Sequence, residues 1–407
     1  MPKLSQAHLL GNIAALAQIG AIEGGGCARL ALTDEDKAGR DLVTRWMKEL
    51  GLDVRIDAIG NVIGLRAGRE NAAPIMTGSH IDTVRTGGRY DGNYGVLAGL
   101  EIVRSLNQRG ITTRRPIAVA FFTNEEGARF HPDMLGSLVY AGGLALNEAH
   151  AAVDKDGVAL GDELRRIGYL GAAQPGAIKP HAFVELHIEQ GPILDEEKLK
   201  IGVVESVQGI SWTEYTVAGI SNHAGTTPMR LRRDAGYFAA SATLFVRALA
   251  REMGGNQVGT VGALTLRPNL INVVPNQAVF TVDLRNTDEG RLKEAEARLG
   301  DHMVKAAAAE RVEVRAKVLA RFEPVIFDPS LVSRVEHHAT ALGLSTRRMP
   351  SGAGHDAQMM QRLCPTAMIF VPSVGGLSHN VREHTEPADL VAGAQVLMNL
   401  VLELAES

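Results

Sequence analysis

A continuous apolar run, Ile117-Ala-Val-Ala-Phe-Phe122, ends abruptly in Thr123-Asn-Glu-Glu-Gly127. Apolar residues at every position, with no alternation, mark a strand buried on both faces, as in a parallel sheet covered by helices. A chain built on such strands folds as an α/β protein. Sheets of this kind take ligands at the C-terminal ends of their strands. Glu125 and Glu126 stand at that end. Elsewhere the pair would read as a solvated turn. Here the two side chains project in different directions, so one can hold a cation while the other handles a proton.

Two more stretches follow the same plan. Pro74-Ile-Met leads into Thr77-Gly-Ser-His-Ile-Asp-Thr-Val84 and then Gly87-Gly-Arg-Tyr-Asp-Gly-Asn93. Alternate side chains of a strand share a face, so the Asp82 carboxylate can follow His80 into one site. There it can hold the ring nitrogen that a bound metal leaves free. Asp91 lies in a loop rich enough in glycine to close around an ion. The run Thr366-Ala-Met-Ile-Phe-Val371 leads into Pro372-Ser-Val-Gly-Gly-Leu-Ser-His-Asn380, which puts His379 just past a strand end. Ala182-Phe-Val-Glu-Leu-His-Ile-Glu-Gln-Gly191 alternates instead. Its face of Phe183, Glu185, His187 and Glu189 is either a site or a solvent edge.

A chain of 407 residues exceeds one ordinary core and predicts two domains. The order 1–208 is broken at 209–321 by a self-contained β-α-β-β-α-β pattern, ferredoxin-like in type, and α/β alternation resumes over 322–407. The expected architecture is a discontinuous catalytic domain with an inserted lid. Lys plus Arg number 42 against 46 Asp plus Glu, and aromatics are 4%. That excludes the basic stripe and stacking platform of a nucleic-acid binder. Cys27 and Cys364 make no disulfide framework, the N-terminus lacks a signal-peptide layout, and no continuous apolar run reaches about 18 residues. A cytoplasmic protein free of membrane is the expectation.

Taken together, Gly78-Ser-His-Ile-Asp-Thr83, Gly88-Arg-Tyr-Asp-Gly92, Thr123-Asn-Glu-Glu-Gly127, His187-Ile-Glu-Gln-Gly-Pro192, Ser351-Gly-Ala-Gly-His-Asp356 and Gly376-Leu-Ser-His-Asn380 resemble the aminoacylase/carboxypeptidase dinuclear metallohydrolases (peptidase family M20). The resemblance is closest to the amidohydrolase branch of N-carbamoyl-L-amino-acid hydrolases, allantoate amidohydrolases and β-ureidopropionases. It implies a mixed-sheet, di-metal exopeptidase-like catalytic domain with a ferredoxin-like α+β lid that also dimerises. It further implies two divalent ions per subunit, bridged by Asp91. His80 and His187 would complete one set of ligands, and Glu126 and His379 the other. Glu125 would be the proton shuttle. The resemblance also suggests a strained, even cis, bond at Asp91-Gly92. The imidazole and carboxylate set suits zinc, manganese, cobalt or nickel without choosing among them.

For the lid, the resemblance implies that His223, in Ser221-Asn-His-Ala-Gly-Thr-Thr-Pro228, steadies a developing oxyanion from the partner subunit of a homodimer. Asn272 and Arg285 match positions that bind a substrate carboxylate, for which the arginine fork is suited. Without the resemblance, His223 reads as a surface-loop histidine and Arg285 as a strand-end salt bridge to Asp283 or Glu289. Gln190, Gly354 and His355 match further substrate positions. The expected reaction is hydrolysis of an N-carbamoyl-L-amino acid to the amino acid, carbon dioxide and ammonia. Allantoate is the nearest competing substrate. An aminoacylase or dipeptidase is a more distant reading, and a non-catalytic metal-binding homologue is a third.

Overall fold

The computed structural model describes residues 2–407. The chain forms two compact units: the stretch up to Glu205 with Phe327–Ser407, and Ser206–Ile326. The first opens with helices α1 (Gln6–Ala17) and α2 (Asp34–Glu49), then strands β1 (Asp53–Ile56), β2 (Val62–Arg66) and β3 (Ile75–His80). Helix α3 (Asn93–Gln108) leads to β4 (Ile117–Phe122), to short helices α4 (Leu135–Tyr140), α5 (Leu146–His150) and α6 (Leu160–Ile167), and to β5 (Ala182–Ile188). After α7 (Ile193–Glu196), β6 (Ile201–Val207) carries the chain into the second unit.

That unit is β7 (Gly209–Ala218), α8 (Ala235–Met253), β8 (Val258–Arg267), β9 (Gln277–Asn286), α9 (Glu289–Glu310) and β10 (Glu313–Phe322). Its sheet is antiparallel in the order β10-β7-β9-β8, so the expected β-α-β-β-α-β sequence forms a four-stranded α+β layer. Phe238, Phe280, Leu284, Leu292 and Leu299 form its own core, with Tyr215 stacked on Phe280. Strand β11 (Val325–Ile326) returns antiparallel to 206–207. Helix α10 (Pro329–Ala341), β12 (Thr346–Ser351), α11 (Asp356–Met360), β13 (Thr366–Val371) and α12 (Pro387–Glu406) complete the first unit.

The large sheet runs β1-β2-β4-β3-β5-β13-β6, with β11 and β12 both paired to β6. Its centre is parallel, where β3 pairs β4 and β5, and β13 pairs β5. Every residue of β3, β4, β5 and β13 is buried, as their apolar runs require. The alternating β5 is therefore no solvent edge: its Glu185 and His187 are buried. Because these central strands run the same way, their C-terminal ends, and the loops after them, gather along one edge.

Helix α2 is capped by Thr33, whose hydroxyl accepts from Asp36 N–H. Helix α3 begins at Asn93, where the chain turns sharply at Gly92 (φ +65°). Helix α12, at 20 residues with mean hydropathy 1.5, is the one described helix long and apolar enough to cross a membrane; 67% of that stretch is buried in the protein. Asp389 and other polar residues interrupt it, so it holds no continuous apolar run of that length.

Candidate metal centre

His80 is the last residue of β3, Glu125 and Glu126 follow β4, His187 lies near the end of β5, and His379 sits in the loop after β13. Asp91 precedes α3. One edge of the sheet thus brings together all six side chains. His80, Asp91 and His187 each offer a ligand atom within 4.8 Å of the others, and so do Asp91, Glu126 and His379. Asp91 belongs to both groups. Its Oδ1 lies 3.4 Å from His80 Nε2 and 3.2 Å from His187 Nε2, while its Oδ2 lies 3.6 Å from His379 Nε2. Glu126 Oε2 is 3.2 Å from His379 Nε2, and Glu125 Oε2 is 3.3 Å from His80 Nε2.

The hydrogen bonds at the far side of each ring fix which nitrogen faces the cluster. His80 Nδ1 lies 2.9 Å from the Asp82 carbonyl, and His187 Nδ1 lies 2.8 Å from the Ile188 carbonyl. A carbonyl only accepts, so both Nδ1 atoms carry the proton. The Nε2 lone pair of each ring is left facing carboxylate oxygens. Gly92 N–H donates to His187 Nε2 at 3.1 Å, as it can only to an unprotonated nitrogen. Lone pairs opposed to carboxylates need a proton or a cation between them. Among the described residues, no Lys or Arg lies within ion-pair distance of Asp91, Glu125 or Glu126. The donor set therefore fits divalent cations.

The electrostatics reflect the same crowding. Burial pulls the His80 ring down, but Glu125, Asp91 and Asp82 together hold it well above the ordinary imidazole range. Burial would raise Asp91, yet His187 and His80 keep it well below the usual carboxylate range. Burial, opposed by His80 and reinforced by Asp356, Glu126 and Asp91, pushes the Glu125 carboxyl well up. Glu126, hydrogen-bonded to His379, raises that ring to about 9 against its partial burial. Three residues at the edge of the cluster, Asn124, Gln190 and His379, hold positive φ of 56°, 58° and 52° without being glycine. Such conformations cost on the order of 1 kcal/mol each and persist where the surroundings enforce them.

Two sequence expectations are corrected here. The Asp82 carboxylate does not hold the His80 ring: it stands 4.0 Å from Nδ1, and the Asp82 main-chain carbonyl takes that bond. The carboxylate turns instead to the backbone N–H groups of Glu125 and Glu126, at 3.3 Å each, and so orients the other acids. The Asp91-Gly92 bond is trans; the irregularity lies in Gly92, where a β-carbon would sit 2.4 Å from His80 Nε2.

Of the substrate candidates in this unit, Gln190 donates to Asp91 Oδ2 at 2.8 Å. His355 is buried with its ring edge against His187 at 4.6 Å and its Nε2 on the Ser351 hydroxyl at 2.9 Å. Burial and His187 hold it well below the normal range, so the ring is neutral. Gly354 lies against Met134, where a β-carbon would be 2.8 Å from Cε. Glu189 caps the turn at Ile193 and Leu194 through both oxygens. Glu185, on the same strand face as His187, is buried beside the cluster; Ser378, Glu383 and Asp356, buried or half-buried there too, were not singled out by sequence. The Ser378-His379-Asn380-Val-Arg-Glu383 spacing is the local signal that could have flagged Glu383.

His223, Asn272 and Arg285 belong to the second unit, which does not bring all three together. The segments 219–224 and 272–276 run side by side beyond one end of β9, with His223 bridged to Val273 and Ala224 N–H on the Asn272 carbonyl. Arg285 lies at the other end of β9, roughly 27 Å away at about 3.4 Å per residue. It forks onto Asp283 at 2.9–3.1 Å and covers the Trp212 ring at 5.8 Å. His223 Nδ1 accepts from Gly225 and Thr226 N–H, at 3.1 and 3.2 Å. A neutral ring so held carries its proton on Nε2, which leaves that atom a donor.

Comparison with known proteins extends these findings. The profile of peptidase family M20/M25/M40 matches residues 76–403. The chain is 45% identical over 400 residues to an N-carbamoyl-L-amino-acid amidohydrolase from Rhizobium meliloti, covering 98% of this chain and 96% of the relative. It is 38% identical to a protein of the same description from Geobacillus stearothermophilus, with 96% of each covered. Among solved structures, an amidase of the hydantoinase/carbamoylase family from Burkholderia multivorans superposes with a TM-score of 0.96 at 46% identity, over 100% of this chain and 99% of that one.

Proposed function

The chain belongs to peptidase family M20/M25/M40, and from that premise we propose that it is a metal-dependent amidohydrolase of N-carbamoyl-L-amino acids, with a two-cation centre built on Asp91. The observation that carries this reading is the pair of ligand groups sharing one carboxylate, with Glu125 beside them. His80, Asp91 and His187 would hold one ion; Asp91, Glu126 and His379 the other. Such ions, when bound, polarise a carbonyl and make water more acidic.

The remaining chemistry belongs to the chain. Glu125, free of a ligand role in this scheme, takes a proton from the attacking water as that water adds to the carbamoyl carbon. It returns the proton to the amino-acid nitrogen as the C–N bond breaks. The amino acid leaves, and the carbamate falls to carbon dioxide and ammonia. His223, with its proton on Nε2, donates to the oxygen on which charge develops. Arg285 pairs with the substrate carboxylate in exchange for its contact with Asp283. Gln190, Gly354, His355 and Asn272 line the substrate.

One protomer's unit cannot supply His223 and Arg285 to the same small substrate, because they stand at opposite ends of β9. This supports a homodimer in which each site draws on both copies. Exposed apolar side chains in 206–326, among them Met229, Leu244, Ile271 and Val318, are consistent with a covered surface there.

The test is hydrolysis of N-carbamoyl-L-methionine, allantoate, N-carbamoyl-β-alanine and an N-acetyl amino acid by metal-loaded protein and its Glu125→Gln variant. The carbamoyl-α-amino acid should be the preferred substrate, and Glu125→Gln should lower kcat by about 10²- to 10⁴-fold with metal content unchanged. Preference for the acetyl compound, or full turnover by Glu125→Gln, would overturn the proposal.

A further inference from the structure

Among the six clustered side chains, His80 and His187 are fixed by strands, and the Glu125-Glu126 pair is held directly after one. Asp91 and His379 have no such support. Asp91 lies in a glycine-rich loop, and His379 lies in another, with a side chain 51% exposed and φ at +52°. Yet these two define the second candidate group, and Asp91 serves both.

Glu383 joins the two loops. It is buried, at 4% exposure. Its Oε1 accepts from the backbone N–H groups of Tyr90 and Asp91, at 3.0 and 3.2 Å. Its Oε2 lies 3.2 Å from the Ser378 hydroxyl, which in turn lies 3.1 Å from Asp91 Oδ2. Its own N–H bonds the Asn380 carbonyl at 2.9 Å. The 87–91 backbone rests directly on this side chain: a β-carbon on Gly88 would be 2.0 Å from Glu383 Oε1 and 2.4 Å from its Cβ. Among the described residues no Lys or Arg forms an ion pair with Glu383, so what the carboxylate does here is accept hydrogen bonds.

We propose that Glu383 is a positioning residue that ties the Asp91 loop to the His379 loop and so sets the spacing of the second cation's ligands. It touches neither substrate nor reacting atoms. It does for the two loops what β3 and β5 do for His80 and His187. A glutamine keeps the arrangement, since its Oε1 accepts the same two N–H groups and its amide donates to Ser378, whose hydroxyl is then directed at Asp91.

The inference rests on the two-cation reading, and the experiment separates their failures. Metal-free wild type, Glu383→Ala, Glu383→Gln and Gly88→Ala are titrated with Mn²⁺ by equilibrium dialysis and calorimetry, with thermal unfolding of each metal-free protein alongside. Wild type should bind two equivalents; fewer would overturn the dinuclear centre itself. Glu383→Ala should weaken the looser equivalent about 10- to 100-fold, and Glu383→Gln should restore it to near wild type. Gly88→Ala, which pushes the loop away while leaving Glu383 intact, should reproduce the alanine result if Glu383→Ala fails to fold. A Glu383→Ala protein that loses thermal stability but titrates like wild type would show a merely structural role. Equal loss in alanine and glutamine would show that charge, not placement, is what matters. Either result would overturn the inference.

Discussion

Asp57 closes the turn between β1 and β2: its carboxylate accepts from Ile59 N–H, Asn61 N–H and the Asn61 side chain, at 3.1, 2.9 and 3.0 Å. Burial nevertheless outweighs these bonds and raises its carboxyl to about 6. Between about pH 4 and pH 6 the folded protein therefore keeps a proton that the unfolded chain has released. The contribution of this carboxyl to stability falls as pH rises through that window and is a net cost above it. Asp57→Asn cannot ionise. Its stability relative to wild type should rise by roughly 2–3 kcal/mol between pH 4 and pH 7, read from urea unfolding at fixed metal content. A difference flat with pH would place the Asp57 pKa at its ordinary value. Nothing in the sequence marked Asp57. Most of the clustered acids and histidines were legible because each follows an apolar run or lies in a glycine-rich motif; His187, in the alternating β5, read equally as a site or a solvent edge. Glu383 and Asp82 show the limit. A pattern of residue types signals that a carboxylate is near a site, but not whether its partner is a ring, a backbone N–H or a hydroxyl.

The element that orders the centre is α3. It starts directly after Asp91-Gly92 and lies on the sheet so closely that a β-carbon on Gly95 would come within 2.4 Å of the Leu186 carbonyl oxygen of β5. Alanine is the better helix former by about 1 kcal/mol, so local propensity alone predicts that Gly95→Ala stabilises. The overlap is with strand backbone, which cannot swing aside. The helix must lift from β5, carrying Asp91 away from His187. We expect net destabilisation of roughly 1–3 kcal/mol in denaturant unfolding, with weaker metal binding; a stabilised variant that binds metal normally would contradict this packing. The same interplay explains what sequence could read among the elements. Strands β3, β4, β5 and β13 carry their burial in their composition. Strand β12 does not: Thr346-Arg-Arg-Met-Pro-Ser351 carries no apolar run, and its residues are extended because they pair with β6. Pairing of that kind is a property of two segments, and one segment cannot announce it.

At the scale of the molecule, the chain makes two cores, and the candidate chemistry is divided between them. The β-α-β-β-α-β order of the second was legible because strand and helix periods alternate cleanly across it. That His223 and Arg285 stand at opposite ends of β9 was not, since sequence gives no direction to a strand within its sheet. This separation has a consequence for assembly. If each site takes its catalytic acid from one copy and His223 from the other, two different inactive variants repair each other when mixed. Glu125→Gln and His223→Ala homodimers should each be nearly inactive. Dissociated and reassociated in equal amounts, half of the dimers should be mixed, and each mixed dimer holds one intact site built from the His223→Ala copy's Glu125 and the Glu125→Gln copy's His223. Activity should recover to about one quarter of wild type, as random pairing of two-fold dimers requires. If both residues instead serve the same site from one copy, mixing leaves every site defective and nothing is recovered. The size of the recovered fraction therefore distinguishes a site shared across the two-fold axis from one completed within a single chain.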